Sequence, residues 1–304
     1  MTDTTVARPS PFAHAAKLRE LASDPSITIA PGCFDALSAA LIERAGFACA
    51  YLSGASIAYT RFGRPDIGLV SMSEVAETIS VIRERVELPL IVDADTGFGN
   101  ALNAYRTVRL FERMGASGIQ LEDQVMPKRC GHLRGKSLVS AAEMAGKIAA
   151  ACAARVNPDT MIIARTDAIA VEGFEAALER AERYVEAGAD MLFIEALQTR
   201  EQMTAASKQF RDRVPLLVNM VEGGDTPMTG ARDLEALGFS VVIFPGALVR
   251  ALTFQAVDFL ATLRRDGDTR AFADRMLDFK GLQALLGTDE LLEQGKRWDG
   301  SAAQ

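Results

Sequence analysis

The sequence predicts an α/β fold, a TIM (β/α)8 barrel with extra C-terminal helices, and three observations carry that expectation. Eight short β-rich runs alternate with longer amphipathic segments. Most of the runs are continuously apolar rather than alternating, as strands become when both faces are covered. Glycines recur where helical segments give way to strands, at Gly46, Gly115, Gly188 and Gly238; a glycine there accepts the left-handed turn that ends a helix. A chain of 304 residues fits such a barrel as one domain.

In chain order, residues 1–26 read as an N-terminal helical segment. The first strand, 27–30, ends before Pro31-Gly32, and a helix over 38–45 stops at Gly46. The second strand, 48–52, runs into a polar loop, Ser53-Gly54-Ala55-Ser56. A helix over 73–85 precedes the strand 88–93, which ends on Asp93. The helix 101–114 is closed by Gly115, and the strand 118–122 ends on Glu122. The pattern repeats through helix 141–154, strand 161–164, helix 174–187, strand 191–194, helix 201–210, strand 216–219, helix 231–237 and strand 241–244. Residues 247–304 form a C-terminal helical extension, with helical spacing over 248–264 and 269–286. The barrel closes without it, so it is expected on the surface or against another subunit. With no Pro/Ser-rich linker, residues 1–304 are read as one domain.

Bulk properties narrow the function. A net charge of −7 argues against a nucleic-acid binder. The first ten residues lack the apolar core of a signal peptide, and no apolar run is long enough for a membrane span. Cys33, Cys49, Cys130 and Cys152 show no framework spacing, as expected of a reduced, cytoplasmic protein. Nucleotide cofactors are not expected, because no Walker or Rossmann glycine pattern is present.

Polar residues gather at the C-terminal ends of the expected strands, where barrel enzymes place their sites. Asp93 and Asp95 share a face of extended chain. Two anions so close need a cation to offset them, and oxygen ligands favour Mg²⁺, with Mn²⁺ as a substitute. Read alone, an Asp-x-Asp pair serves capping or turn roles equally well. Glu122 and Asp66 could complete the nest through water. Cys130 stands within Lys128-Arg129-Cys130-Gly131-His132, where positive neighbours favour a thiolate; an isolated cysteine also reads as a small loop hydrophobe, and His132 as a partner for backbone. Glycines in this loop allow it to close over a substrate. Arg165 and Arg250 are candidate carboxylate clamps, although Arg250 equally suits a surface ion pair. Asn219 opens a glycine-bearing loop suited to a substrate.

Together, Tyr51-Leu52-Ser53-Gly54, Asp93-Ala94-Asp95-Thr96-Gly97-Phe98-Gly99, Leu121-Glu122-Asp123-Gln124, Lys128 to His132 and Arg165-Thr166-Asp167 resemble the isocitrate lyase/phosphoenolpyruvate mutase superfamily over nearly the whole chain. The cysteine run is similar to the lyase branch, which includes methylisocitrate and dimethylmalate lyases. Leu133-Arg134-Gly135-Lys136, the loop after Asn219, and Ala55 in place of a third glycine lean toward the dimethylmalate and broad-range group. The resemblance implies Mg²⁺-dependent cleavage of a 2-hydroxy-2-methyl dicarboxylate, or a related tricarboxylate, to pyruvate plus propionate or succinate. It implies Asp93 as direct metal ligand, with Asp95, Glu122 and Asp66 acting largely through water. Tyr51 would be the base, and Cys130 the acid that protonates the departing fragment. Ser53, Gly54 and Ala55 would hold the pyruvate carboxylate, and Lys128, Gly131, His132, Arg165, Glu195, Asn219 and Arg250 would contact the substrate. A homotetramer of dimers that exchange C-terminal helices is also implied. The alternatives are an oxaloacetate decarboxylase or hydrolase on the same site, a phosphonate enzyme, and a non-catalytic binding barrel.

Overall fold

The eight apolar runs pair edge to edge, each parallel to the next, and the last returns to the first to close a barrel. The computed structural model describes residues 13–131, 133 and 135–299. Helix α1, Ala13–Ser23, precedes β1, Thr28–Cys33. Then come α2 (Ala36–Arg44), β2 (Ala50–Leu52), α3 (Gly54–Phe62), α4 (Met72–Arg83), β3 (Leu90–Asp93), α5 (Ala101–Met114) and β4 (Gly118–Glu122). The second half continues α6 (Ala141–Ala154), β5 (Met161–Thr166), α7 (Phe174–Glu186), β6 (Met191–Ile194), α8 (Arg200–Phe210), β7 (Leu216–Asn219), α9 (Ala231–Leu237) and β8 (Val241–Phe244). Helices α10 (Ala247–Asp266), α11 (Phe279–Leu286) and α12 (Thr288–Trp298) follow.

Every strand residue of β3 to β7 is buried. One apolar layer lies between strands and helices and holds Phe111, Tyr184 and Phe210. A second fills the barrel with Tyr51, Ile91, Ile163, Phe193, Leu217 and Ile243. Burial of each large side chain in such a layer contributes about 1.5–3 kcal/mol. Helix α1 completes the interior cluster with Leu18 and Ala22. Leu18 lies so close to Gly118, the first residue of β4, that a Cβ there would stand 2.8 Å from its Cδ2. Glycine at this strand start is what lets α1 seat against the barrel.

The structure departs from the sequence reading in three places. β1 runs through Pro31-Gly32 to Cys33, since Gly32 passes against the Pro245 carbonyl with no room for a side chain. Ser53-Gly54-Ala55-Ser56 opens a helix rather than a loop: the Ser53 side chain caps α3 by accepting from the Ser56 N–H at 3.2 Å. The stretch 269–286 divides into a 3₁₀ turn, Arg270–Arg275, and α11, while α12 falls within the expected C-terminal helical extension.

Among the described residues the chain forms two compact units, the first ending at Val249 and the second beginning at Arg250. Within the second unit, Phe272 is buried and packs edge-on to Phe259, with ring centroids 5.3 Å apart. Arg275 covers the Phe272 ring and pairs with Asp258 at 2.8 Å. Among the described residues, no helix is long and apolar enough to cross a membrane.

Buried on α1, His14 places Nε2 3.2 Å from Glu87. Burial, with Arg83 adding to it, holds the imidazole below its ordinary pKa of 6.5 against the pull of Glu87. The unfolded chain therefore binds the proton more readily. Stability conferred by the neutral ring is complete above the unfolded value and is lost as pH falls through it toward the lower folded one. Urea unfolding at pH 7.5 and 5.5 should show a larger loss for the wild type than for His14→Gln; equal losses would remove His14 from the account.

Candidate active site

The strand ends bring one set of polar side chains to the barrel mouth, all buried: Asp93 from β3, Gln120 and Glu122 from β4, Arg165 from β5, Asn219 from β7, with Glu195 just beyond β6. Tyr51 of β2 donates its hydroxyl to Gln120 Oε1 at 2.6 Å, and Gln120 Nε2 donates to Asp93 Oδ1 at 3.3 Å. Burial, with the Asp93 carboxylate adding to it, holds the Tyr51 pKa well above 10. The expected base is thus a protonated phenol in the resting site. Gln120 was missed by the sequence reading, although one amide inside an apolar strand was its signal.

Asp95 follows in a left-handed conformation, φ 46°, and its N–H donates to Asp93 Oδ1 at 3.1 Å. Strained backbone of this kind collects at functional sites. Burial pushes the Asp95 carboxyl up to about 7, Lys128 opposing and Asp93 and Asp66 adding to the rise. Lys128 reaches into this acid: its Nζ lies 2.6 Å from Asp66 Oδ1 and 2.7 Å from Asp95 Oδ1. Burial works against its charge, but Asp95, Asp66, Asp93 and Glu122 outweigh that and hold its pKa well above 10.5. The expected four-carboxylate nest is therefore gathered around an ammonium. Among the described residues no three His, Cys, Asp or Glu side chains are grouped as a metal cluster would be. The donor set nonetheless suits Mg²⁺. Asp93, Asp95 and Glu122 offer hard oxygens, and the buried Oε1 of Glu122 has no hydrogen-bond partner among the described residues.

Arg165 is held by three carboxylates. Asp167 takes it in a fork at 3.0 and 3.1 Å, Glu122 Oε2 lies at 3.4 Å and Glu195 Oε2 at 3.5 Å. Burial disfavours the charged guanidinium, but Asp167, Glu122 and Glu195 outweigh it and raise its pKa further. For Glu122, burial dominates and lifts the carboxyl well above its usual range despite Arg165. Asn219 Nδ2 donates to Glu195 Oε2 at 3.1 Å, while its Oδ1, also buried, has no partner among the described residues.

The cysteine loop leaves β4 and returns to α6 as a strapped excursion. Its base is zipped by Val125 N–H to the Ser137 carbonyl at 2.8 Å and Val139 N–H to the Asp123 carbonyl at 2.9 Å. Gln124 clamps both backbone groups of Arg129 at 2.8 and 2.9 Å. Cys130, half-buried, donates its backbone N–H to the Asp66 carbonyl at 3.2 Å. Gly131 lies directly on the Arg165 network: a Cβ there would stand 2.5 Å from Arg165 Nη2 and 2.8 Å from Glu195 Cγ. Asp123 anchors the region from behind, accepting from Thr166 Oγ1 at 2.7 Å, Tyr184 Oη at 2.7 Å and Asp167 N–H at 2.9 Å.

The structure therefore joins Tyr51, Asp66, Asp93, Asp95, Glu122, Lys128, Gly131, Arg165, Glu195 and Asn219 in one connected network. Gly54 borders it, since a Cβ on Gly54 would lie 3.2 Å from Asp93 Oδ2. Ser53, Gly54 and Ala55 form the start of α3. Arg250 is exposed on α10 in the second unit, and His132 lies outside the described residues.

A closed parallel barrel with a buried acidic mouth and a strapped thiol loop defines an α/β-barrel enzyme. Residues 18–263 match the phosphoenolpyruvate phosphomutase family. The chain is 46% identical over 281 residues to a 2,3-dimethylmalate lyase of Eubacterium barkeri, covering 92% of this chain and 96% of that one. It is 46% identical over 270 residues to a 2-methylisocitrate lyase of Aeropyrum pernix, covering 89% and 86%. Among solved structures it resembles a phosphonopyruvate hydrolase complex with oxalate and Mg²⁺, with a TM-score of 0.84, 34% identity, and coverage of 93% and 98%. The chain belongs to the phosphoenolpyruvate mutase/isocitrate lyase superfamily and is a carbon–carbon lyase.

Removing one member of a buried ion pair strands the other charge, at a cost of about 3–5 kcal/mol. Lys128→Met should lower stability in EDTA by roughly 3 kcal/mol in urea unfolding, and added Mg²⁺ should recover more in the variant than in the wild type. A variant as stable as the wild type without metal would show that the ammonium does not balance the nest.

Proposed function

We propose that the enzyme cleaves the C2–C3 bond of a 2-hydroxy-2-methyl dicarboxylate of the 2,3-dimethylmalate type, releasing pyruvate and propionate, with 2-methylisocitrate and its product succinate as the second candidate. The observation that carries this reading is that Cys130 stands between two charged contacts of its own loop, Lys128 on Asp66 and Asp95, and Gly131 on Arg165 and Glu195. Cys130 thus lies in sequence between the residue that meets the acidic nest and the residue that meets the guanidinium. The similarity to a 2,3-dimethylmalate lyase and a 2-methylisocitrate lyase supports the same chemistry.

Asp93, with Asp95, Asp66 and Glu122 around it, would hold Mg²⁺ or Mn²⁺. That ion would supply positive charge that polarises the 2-hydroxyl and offsets the Asp93 carboxylate facing Tyr51. The first-turn N–H groups of Gly54 and Ala55, with Ser53, hold the carboxylate next to the hydroxyl, as helix N-termini hold anions. To act as the base, Tyr51 must first release its own phenolic proton to solvent, against the burial that holds it; the phenolate Oη then accepts the hydroxyl proton, with Gln120 fixing the ring. Arg165, oriented by Asp167, Glu122 and Glu195, binds the distal carboxylate, and Asn219 and His132 orient the rest. The electrons of the broken bond settle on the departing carbon and its carboxylate, and Cys130 Sγ delivers the proton there. Arg250 is a further candidate for the substrate. The exposed Phe254, Phe279 and Trp298 of the C-terminal helices support a homotetramer whose dimers exchange those helices, and a cytoplasmic setting suits the reduced thiol.

One panel tests the reading: 2,3-dimethylmalate, 2-methylisocitrate, isocitrate, 2-ethylmalate and oxaloacetate, assayed for 2-oxo acid release with and without EDTA. A 2-alkylmalate should turn over fastest, and EDTA should abolish turnover. Cys130→Ser should lower kcat by about 10²–10⁴-fold while binding survives. Oxaloacetate far ahead of the others, with little dependence on Cys130, would replace this reading with a hydrolase or decarboxylase.

A further inference from the structure

We infer that Lys136 is a positioning residue for the reactive loop: its ammonium, anchored on Asp167, holds the carbonyl of Gly131, the residue seated on the Arg165–Glu195 pair, and so fixes the position of the adjoining Cys130. The role rests on the lyase reading above.

Lys136 lies at the far side of the loop from Lys128, and its side chain is 2% exposed. The Nζ sits 3.1 Å from Asp167 Oδ1 and donates to the carbonyl oxygen of Gly131, the residue after the thiol. Burying an ammonium costs several kcal/mol unless it is paired and hydrogen-bonded. An apolar side chain would fill the same space without that cost, so the charge is explained by what it grips. Its anchor is fixed independently. Asp167 forks onto Arg165 at 3.0 and 3.1 Å, and its own N–H donates to Asp123 Oδ1 at 2.9 Å. Burial would raise the Asp167 carboxyl, but Arg165 and Lys136 outweigh it and hold it below its usual value. One carboxylate therefore orients both the guanidinium that meets Glu122 and Glu195 and the lysine that meets the thiol loop. The next loop residue after Lys136, Ser137, is bonded through its carbonyl to Val125 N–H at 2.8 Å, so Lys136 extends from backbone that is itself tied down. Gly131 is the matching half of the contact: its bare Cα lets the loop press on Arg165 and Glu195 while its carbonyl turns to Lys136.

The test uses Lys136→Met, Lys136→Gln and Lys136→Arg in the full-length protein, with two readouts. The first is the rate of Cys130 alkylation by iodoacetamide at pH 8, followed by peptide mass spectrometry. It requires no turnover. Cys33 and Cys49 serve as slow internal controls, because both are fully buried, and burial, eased by Arg83, pushes the Cys49 thiol up to about 12. The second is kcat and KM on the substrate turned over fastest. Loss of the grip should raise Cys130 alkylation several-fold in the Met and Gln variants, as local opening exposes the loop. It should lower kcat by about 10²-fold, the cost of a misplaced group, with KM nearly unchanged. Arg, which keeps the charge and donors, should recover part of both. A purely structural lysine predicts a lower melting temperature in Met and Gln with Cys130 alkylation and kcat as in the wild type, and that result overturns the inference. If the wild type turns over none of the substrates, the lyase reading fails, while the alkylation rates still decide whether Lys136 holds the loop.

Discussion

Charge balance in a buried space governs the mouth of this barrel. Asp66, Asp93, Asp95, Glu122, Asp167 and Glu195 are all buried there, against the cations Lys128, Lys136 and Arg165. No carboxylate of this group can stay ionised out of water without a partner. Each cation is therefore shared: Lys128 between Asp66 and Asp95, Arg165 among Asp167, Glu122 and Glu195, Lys136 between Asp167 and a carbonyl. Six acids stand against three cations, and burial answers the imbalance by raising Asp95 and Glu122 toward the neutral form. Because the cations are shared, moving one side chain changes the balance of several others.

The barrel makes such an arrangement affordable by separating its ends. The end closed by α1 is apolar, with Leu18 and Ala22 packed on the strand interior. The side chains that carry chemistry emerge at the other end, from strands whose register is set by parallel pairing, as Asp93 is set beside Gln120 and Glu122 beside Arg165. Tyr51 and Gln120 form the transition between the two, so the apolar core passes into the charged mouth through a hydrogen-bonded phenol and amide that end on Asp93.

Much of the barrel was legible in the sequence because its signals are local. Continuous apolar runs located β4, β6, β7 and β8 to the residue, and left-handed glycines closed α5 and α9 at Gly115 and Gly238. The failures came where a local signal has two meanings. Pro31-Gly32 reads as a breaker, yet a close approach of Pro245 requires that glycine within a strand. Ser53-Gly54 reads as a loop, yet Ser53 is a helix cap. Acidic residues at strand ends could be recognised one at a time. That Lys128 would lie among them, and that Tyr51 would be a donor to Gln120, depends on side-chain reach across elements far apart in sequence, and no pattern in a single segment encodes it.

Gly131 has a wider implication. The loop backbone there touches the guanidinium and glutamate beneath it with no space for even a methyl group, so a single position in the segment can occupy that spot. A slip of this loop by one residue in either direction would drive a side chain into Arg165. The number of residues between the two lysine anchors is accordingly a fixed dimension of the enzyme, and adding or deleting one should be tolerated far less well here than in the turns at the opposite end of the barrel.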